Sequence, residues 1–458
     1  MKPFKDFVQN TKDDTVYILV SIIIITISSL CKSVIGNKLS RIIILLGVFL
    51  LGYSLTLYLK HIKSFHFKFL RNLIKLNKQH SILKIKLQNF RSYKEIELDF
   101  TSDHVVLYGP NGSGKTNFLE AISLLLPGRG LRSSKKEHFP LIEFSTKKQN
   151  NDWAIHYILK RGNKTNEIST GIKTSINNIN SSRIYKVDGS ILKSKEMSQL
   201  VSLNWLTPTM HNIITGSETL RRNFFDRMIS ALDPHHKTRI NKLEKLSRER
   251  MKLIEKNLGD ESWFSILEKE ISQLSIAIIV ERQNFTSKLD FFTANPKSSF
   301  LNSVRISWSG IIEEWLQNKP AIDVEEKMAN HLKNLRLERR FSSFGPSSSV
   351  LKMWYGSSHI SSEFCSTGQQ KSILVSIVLA YSKLLTEKKE FPPILLLDEA
   401  SAHLDEDHFK ALFNESLETS SQIWMTGTDK NIFKRLGYSE KIQYFVINDS
   451  NITQPVDL

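Results

Sequence analysis

Cysteine is scarce in this sequence. Of its 458 residues only Cys31 and Cys365 are cysteines, and they lie far apart. Two such residues cannot build a disulfide framework, so the composition excludes a small disulfide-stapled secreted protein and favours a reducing compartment. They also lack the spacing of metal ligands, and the 13 histidines include no H-x-x-x-H pair. The sequence therefore does not indicate a zinc site.

Acidic residues are fewer than basic residues in this sequence. The chain has 63 Lys+Arg against 46 Asp+Glu, which gives a net charge of +17. Residues 1–80 contain 12 basic and 3 acidic residues, which leaves 51 and 43 for the other 378 residues. A moderately basic balance suits a polyanionic partner such as DNA, but ordinary solubility charge explains it as well. The length allows two or three domains.

Long apolar runs are confined to the first 60 residues. Residues 16–30 and 42–59 are each near the lower length of a membrane-spanning helix, and basic residues without acidic ones follow the second run. This pattern predicts a two-helix membrane hairpin with both ends in the cytoplasm, followed by a basic linker up to residue 80. The alternative is that residues 1–80 are not made in the cell, although no methionine lies between Met1 and Met197.

Residues 109–116 read GPNGSGKT and fit the pattern G-x-x-x-x-G-K-[ST]. An apolar run at 103–107 predicts a strand before it, and residues 117–126 predict a helix after it, which is the context of a phosphate-binding P-loop. Lys115 is predicted to reach the β- and γ-phosphates of ATP, and Thr116 to bind Mg²⁺. The predicted ATP-binding residues here are Gly109, Pro110, Asn111, Gly112, Ser113, Gly114, Lys115 and Thr116.

A second motif, FPPILLLDE at residues 391–399, has the form of a Walker B strand. The apolar strand presents Asp398 at its carboxyl end, where it is predicted to hold Mg²⁺. Glu399 beside it is predicted to deprotonate the attacking water. The residues that follow, ASAHLD at 400–405, have the form of a D-loop.

The segment EFCSTGQQK at residues 363–371 matches the signature pattern of ABC ATPases. A serine hydroxyl and backbone N–H groups at a helix N-terminus are suited to bind a phosphate. The predicted nucleotide-binding residues of this segment are Ser366, Thr367, Gly368 and Gln369.

The order of these motifs, with a long insertion between them, resembles the ABC-type ATPases of chromosome maintenance, the SMC class. More narrowly, residues 82 to about 450 resemble the RecF family of bacterial recombination mediators. The matching segments are LQNFRSY at 87–93, GPNGSGKTN at 109–117, PGRGLR at 127–132, WLTP at 205–208, RRNFFDR at 221–227, STGQQK at 366–371 and WMTGTD at 424–429.

The resemblance implies an α/β fold: an ABC-type ATPase head of mixed sheets plus a helical arm, here preceded by the two-helix extension. It implies an ATP- and Mg²⁺-dependent, DNA-binding ATPase of recombinational gap repair, replication and the SOS response. Such a protein binds single-strand gaps and single-strand/double-strand junctions as an ATP-clamped homodimer. It assists recombinase loading with RecO and RecR in the cytoplasm, and the extension would tether it to the inner membrane through residues 16–59.

The predicted domains follow the motifs. Residues 81–215 form the first part of lobe I with Walker A, 216–345 the helical arm or lobe II, and 346–458 the second part of lobe I. Within the arm, the patterns predict helices over 220–258 and 262–285, with the first one broken at Asp233–Pro234. Residues 163–182, rich in Ser, Thr and Asn, predict a loop.

Several features depart from the family pattern or leave alternatives open. Residues 207–210, where ABC relatives carry a Q-loop glutamine, read TPTM, and TGTD at 426–429 replaces a switch histidine. Arg129 and Arg132 face either a phosphate or solvent. A membrane-associated, ABC transporter-like ATPase is the alternative function. Two spans are too few for a transport pathway, and the separation of 283 positions from Lys115 to Asp398 is longer than a transporter ATPase needs. The intact motifs disfavour a third function, a membrane-tethered scaffold with a vestigial ATPase.

Overall fold

The computed structural model of the protein describes residues 79–141, 152–172, 183–294, 303–339, 344–357, 360–389, 391–399, 404–434 and 442–454. The chain divides into two compact units, 1–78 and 79–458, and every element below belongs to the second. The membrane hairpin predicted at 16–59 lies outside the described residues. Within the described ranges, no helix combines the length and the apolar character needed to cross a bilayer.

A six-stranded antiparallel sheet covers the first part of the fold, in the spatial order β2-β1-β4-β5-β6-β7. Its strands alternate between buried and more exposed residues, as expected where one sheet face packs on a core. The strands are β1 (His80–Phe90), β2 (Tyr93–Asp99), β4 (Trp153–Arg161), β5 (Lys164–Ile172), β6 (Ile184–Val187) and β7 (Ser190–Leu192).

Strand β5 corrects the loop predicted over residues 163–182, of which 173–182 lie outside the described residues. Residues 164–172 pair with β4 along its whole length, from Lys164 opposite Arg161 to Ile172 opposite Trp153. Ile168, Thr170 and Ile172 point to the buried face. The prediction was wrong because Thr165, Glu167 and Ser169 occupy the other face of this strand while Asn166 and Thr170 share the face of the isoleucines, so polar residues on both faces conceal the alternation.

The second six-stranded sheet carries the predicted site. Its order is β15-β14-β3-β13-β12-β8, and all neighbours are parallel except the edge strand β15. Strands β8 and β12 are buried at every position, as expected for parallel strands covered on both faces. The strands are β3 (His104–Tyr108), β8 (Leu203–Leu206), β12 (Ile394–Leu397), β13 (Gln422–Gly427), β14 (Ile442–Asn448) and β15 (Asn451–Thr453).

Helix α1 (Lys115–Ser123) lies between the two large sheets. On one side, the Tyr157 hydroxyl of the antiparallel sheet donates to the Ala121 carbonyl oxygen over 2.6 Å. On the other side, the Phe118 ring contacts the ring of Trp424 in β13, with centroids 6.0 Å apart. Both sheets therefore hold the helix that begins at the P-loop.

The remaining described α-helices follow in chain order. They are α2 (Ser194–Leu200), α3 (Asn212–Thr215), α4 (Glu218–Leu232), α5 (Pro234–Glu255), α6 (Glu261–Thr293), α7 (Ile311–Asn318), α8 (Ala321–Leu337), α9 (Thr367–Lys388), α10 (Glu406–Thr419) and α11 (Lys430–Lys434). Short 3₁₀ helices cover Lys136–His138, Pro208–His211 and Ser362–Phe364. The break predicted at Asp233–Pro234 separates α4 from α5, and the Asp233 side chain caps α5 by accepting from the His235 N–H over 2.9 Å.

The arm helices have their own apolar core, built from α5, α6, α7 and α8. A buried carboxylate, Asp226 of α4, connects α4 to two of these helices: it accepts two hydrogen bonds from Arg282 of α6, at 2.9 and 2.8 Å, and it pairs with His236 of α5. Such a pair contributes directional contacts rather than a large net stability.

A three-stranded antiparallel sheet has the order β11-β10-β9. It pairs β9, which lies before residue 345, with β10, which lies after it, and so crosses the domain boundary predicted there. Its strands are β9 (Val304–Ser309), β10 (Val350–Tyr355) and β11 (Ile360–Ser361). The boundaries of the predicted domains stay predictions.

Candidate ATP-binding and hydrolysis site

The glycine loop after β3 is built at positions where only glycine fits. Gly109 has φ 155°, and a Cβ there would meet the carbonyl oxygen of Ile447. Gly114 has φ 110° and forms the N-cap of α1, where its carbonyl oxygen accepts from the Tyr93 hydroxyl over 2.9 Å. The left-handed conformations turn the backbone around a concave space at the helix N-terminus, which is the form of a phosphate cradle.

Lys115 supplies the cation of this cradle. Its side chain is buried, and its Nζ donates to the carbonyl oxygens of Gly109 and Pro110 over 2.8 and 2.7 Å. Burial lowers the pKa of Lys115, while the nearby carboxylates of Glu399 and Asp398 oppose that shift. A phosphate would supply the negative charge that this buried ammonium group favours.

Ser113 adds an unused polar group to the loop. Its hydroxyl is buried and has no hydrogen-bond partner among the described residues. A buried hydroxyl without a partner costs free energy, and a phosphate oxygen would satisfy it. The loop therefore fits the triphosphate that its sequence predicted.

The two predicted metal-binding residues lie side by side. The Thr116 hydroxyl donates to Asp398 Oδ1 over 3.0 Å, although the two residues are 282 positions apart. Burial raises the pKa of Asp398, and its hydrogen bonds with Thr426 and Thr116 act in the opposite direction. A hydroxyl and a carboxylate are the hard oxygen ligands that Mg²⁺ prefers beside nucleotide phosphates. These residues therefore fit the predicted ion, whose charge would offset the cost of ionising the buried Asp398.

The predicted catalytic base, Glu399, follows Asp398 in an unusual backbone conformation. Its φ is 48°, and its N–H donates to the Thr426 hydroxyl oxygen over 2.8 Å. Left-handed non-glycine residues are uncommon, and they concentrate at functional sites because the surroundings must hold them there. The bend separates Glu399 from the buried strand and leaves it partly exposed at the edge of the site. Residues 400–403 of the predicted D-loop lie outside the described residues.

Thr426 is the site residue to which sequence reasoning gave no role. It is buried at the end of β13, and its hydroxyl donates to Asp398 Oδ1 over 2.8 Å while accepting from the Glu399 N–H. Strand β13 lies between β3 and β12, so Thr426 stands between the two Walker motifs. The only sequence signal was its place in the TGTD segment, where other ABC ATPases carry a histidine.

The signature segment stands at a free helix end. Ser366 caps α9: its Oγ accepts from the Gln369 N–H over 3.3 Å, and Gln369 Oε1 accepts from the Ser366 N–H over 2.8 Å. Ser366, Thr367 and Gly368 are exposed. Among the described residues, these hydrogen bonds of Ser366 and Gln369 stay within the segment, whereas those of the Thr116 and Thr426 hydroxyls converge on Asp398. The fold thus brings the Walker residues together and presents the signature to solvent.

The two loop arginines, which sequence reasoning placed near either phosphate or solvent, are both exposed. Arg132 is held at the edge of the Walker site, where its Nη1 donates to Asn117 Oδ1 over 2.9 Å and its charge opposes the rise that burial causes in the pKa of Asp398. Asn117 in turn donates to the Ser92 hydroxyl over 3.0 Å. The loop at residues 127–132 is therefore hydrogen-bonded to Asn117, the residue directly after Thr116.

The similarity of this chain to known proteins covers the whole region that carries the site. The family model described as the RecF/RecN/SMC N terminal domain matches residues 81–451. The DNA replication and repair protein RecF of Rhizobium rhizogenes is 34% identical over 378 residues, which cover 81% of this chain and 98% of that protein. The protein of the same name from Mesorhizobium japonicum is 36% identical over 363 residues, covering 78% and 94%.

Solved structures agree on the fold. A structure of the recombination mediator protein RecF-ATPrS in the RecFOR pathway matches with a TM-score of 0.69 and 22% identity, and the match covers 82% of this chain and 99% of that one. This likeness confirms the predicted ABC/SMC-type ATPase head. Because the family model matches residues 81–451, and because relatives that are 34% and 36% identical align over 98% and 94% of their own length, the chain belongs to the RecF family of SMC-type ATPases.

Proposed function

We propose that the chain is an ATP-dependent DNA-binding ATPase that acts in recombinational gap repair, DNA replication and the SOS response. The observation that carries the proposal is the convergence of the Thr116 and Thr426 hydroxyls on Asp398 at the carboxyl edge of one parallel sheet, where the Glu399 N–H donates to the same Thr426 hydroxyl. Ligands of open α/β sheets bind at this edge. The relatives named as DNA replication and repair proteins support the cellular role.

The residues divide the work of ATP hydrolysis. The backbone of residues 109–116 and the ammonium group of Lys115 hold the β- and γ-phosphates. Thr116 and Asp398 would hold Mg²⁺, which supplies positive charge to the phosphate oxygens when bound. Glu399 orients a water molecule and accepts its proton as the water oxygen attacks the γ-phosphorus. The bond between the γ-phosphorus and the bridging oxygen breaks, and ADP and inorganic phosphate leave.

The signature residues complete a neighbouring site in this proposal. Ser366, Thr367, Gly368 and Gln369 stand at the exposed N-terminus of a 22-residue helix, where backbone N–H groups favour an anion. A second copy of the chain would place them against the γ-phosphate held by the first copy. ATP then closes a homodimer on single-stranded or gapped DNA, and hydrolysis opens it. RecR and RecO are the proposed partners for recombinase loading, in the cytoplasm.

Binding to gapped DNA tests the proposal. We expect ATP to raise the affinity for a gapped duplex, and the affinity to fall steeply as salt increases, because phosphate contacts release counterions. The Lys115→Ala variant provides the control, since it should keep the salt dependence and lose the effect of ATP. An affinity that neither ATP nor salt changes would contradict the proposed DNA-binding function.

A further inference from the structure

Arg221, the first arginine of the RRNFFDR segment, connects separate parts of the chain from a buried position in α4. Its Nη1 donates to Glu218 Oε1 over 2.7 Å and to the Leu351 carbonyl oxygen over 3.5 Å. Its Nη2 donates to the Gly216 carbonyl oxygen over 3.2 Å. Its Nη1 also lies 3.9 Å from the carboxylate of Glu363.

These contacts connect the stretch after β8 with the stretch before the signature segment. Gly216 ends the stretch that follows β8, and β8 pairs with the Walker B strand β12. Glu363 lies in the short 3₁₀ helix directly before the signature, and Leu351 lies in β10, which pairs with β11, the strand directly before that helix. Helix α3, on the Gly216 side, also packs near that 3₁₀ helix. One guanidinium therefore spans from the Walker B side of the head to the segment that carries the signature.

The bridge has a second connection through Glu218. While one oxygen of Glu218 accepts from Arg221, the other accepts from the Leu351 N–H over 3.2 Å. The pair thus holds both the N–H and the carbonyl oxygen of Leu351. A planar guanidinium with several fixed donors restrains orientation more strongly than a flexible ammonium group does.

We infer that Arg221 is a positioning residue that sets the signature segment against the Walker B edge, so that Ser366 and Gly368 meet the ATP of a second copy. This inference rests on the proposed ATP-clamped dimer and deepens it. Arg221 is not one of the residues that form the phosphate cradle. Its loss should therefore weaken ATP-driven dimerisation while leaving ATP binding to the monomer intact.

The pairing with Glu363 leaves room for a closer contact. At 3.9 Å the ion pair is beyond hydrogen-bond distance, and the buried Nε of Arg221 has no hydrogen-bond partner among the described residues. A small movement of the signature segment towards Arg221 would bring Glu363 within hydrogen-bond distance of Nη1.

Arg222, the next residue, provides a matched control. It donates to the Ser349 carbonyl oxygen over 2.9 Å and to the Thr219 hydroxyl over 2.9 Å. It therefore anchors α4 to the chain just before β10 without facing Glu363. Removing either arginine costs the helix an anchor, but only Arg221 lies beside the segment before the signature.

The experiment compares full-length variants in a Glu399→Gln background, in which bound ATP is not consumed. Dimer formation is followed by light scattering as ATP is increased, and ATP binding to the monomer is measured separately with a fluorescent analogue at low protein concentration. We expect Arg221→Gln to raise the ATP concentration at half-dimerisation about tenfold or more, and Arg221→Lys to restore part of the loss. Arg222→Gln should change it less than about twofold.

Glu363→Gln keeps the test decisive if Arg221→Gln fails to fold, because Glu363 is exposed. We expect it to raise the half-dimerisation concentration about two- to fivefold, as for one solvent-accessible charge pair. The inference is overturned if Arg221→Gln and Glu363→Gln dimerise like Arg222→Gln, or if Arg221→Gln lowers ATP binding to the monomer equally. If the parent protein itself does not dimerise with ATP, the proposed dimer fails, and this inference falls with it.

Discussion

Replacing Thr426 by valine removes one hydroxyl from the centre of the candidate site while keeping the shape of the side chain. That hydroxyl donates to Asp398 and accepts from the Glu399 N–H, both over 2.8 Å. The substitution therefore leaves a buried carboxylate with one donor fewer and a partly buried N–H without its acceptor. Both effects destabilise the folded chain, because these groups are hydrogen-bonded to water when it unfolds.

The expected loss follows from these two bonds. A hydrogen bond to a charged group contributes about 1.5–3 kcal/mol, and an unsatisfied backbone donor costs about 1–2 kcal/mol when it is only partly buried. Relaxation around the site recovers part of this, so we expect Thr426→Val to lower the free energy of unfolding by about 2–4 kcal/mol near neutral pH. Thr426→Ser keeps the hydroxyl and should lose only about 0.5–1.5 kcal/mol for the missing methyl group.

The stability lost in Thr426→Val depends on pH. Burial raises the pKa of Asp398 above its ordinary value, so this group stabilises the fold at low pH and loses that contribution as the pH rises through the raised pKa. Without the Thr426 donor the pKa of Asp398 rises further. The penalty of Thr426→Val should therefore be largest near neutral pH and should shrink as the pH falls through the raised pKa.

Urea unfolding followed by tryptophan fluorescence measures both effects, since Trp424 lies two residues from Thr426 in the same strand. A double-mutant cycle with Asp398→Asn isolates the contribution of the bond between the two side chains. The account of the site is refuted if Thr426→Val loses less than about 0.5 kcal/mol, or if its penalty does not change on acidification.

Two further substitutions test the phosphate cradle. Lys115→Ala should abolish ATP binding, because it removes the one lysine ammonium group of the loop at residues 109–116. Undiminished affinity for ATP would contradict the P-loop assignment. Gly109→Ala should destabilise the fold by about 2 kcal/mol or more and weaken ATP binding, because its Cβ would meet the Ile447 carbonyl oxygen at a positive φ. Gly128→Ala, at a glycine with positive φ but open space, is its control, and an equal loss in both variants would show that close approach is not the cause.

The contiguous motifs of the site could be predicted from the sequence. The P-loop is a local device: the strand before it, the glycines in it and the helix after it lie within about twenty residues, and the structure has each of them. The break at Asp233–Pro234 was equally local, because proline ends or begins a helix through its own geometry. Such features need no knowledge of the tertiary fold.

The role of Thr426 could not be predicted, because it depends on the order of strands in the sheet. Placing β13 between β3 and β12 puts Thr426 beside Asp398, and nothing near residue 426 in the sequence specifies that order. Strand β5 was not predicted for a related reason: pairing with β4 stabilises a polar segment whose own sequence is typical of a loop. Strand β10 and helix α7 were likewise not assigned.

The state of the Glu399→Gln variant in the presence of ATP tests the central claim most directly. A glutamine at this position keeps the shape of the side chain and cannot accept the proton of the attacking water. With ATP and Mg²⁺, light scattering and phosphate release are measured together on the full chain. The account predicts a stable ATP-bound dimer with barely detectable hydrolysis, whereas a monomer that hydrolyses ATP at the normal rate would contradict it.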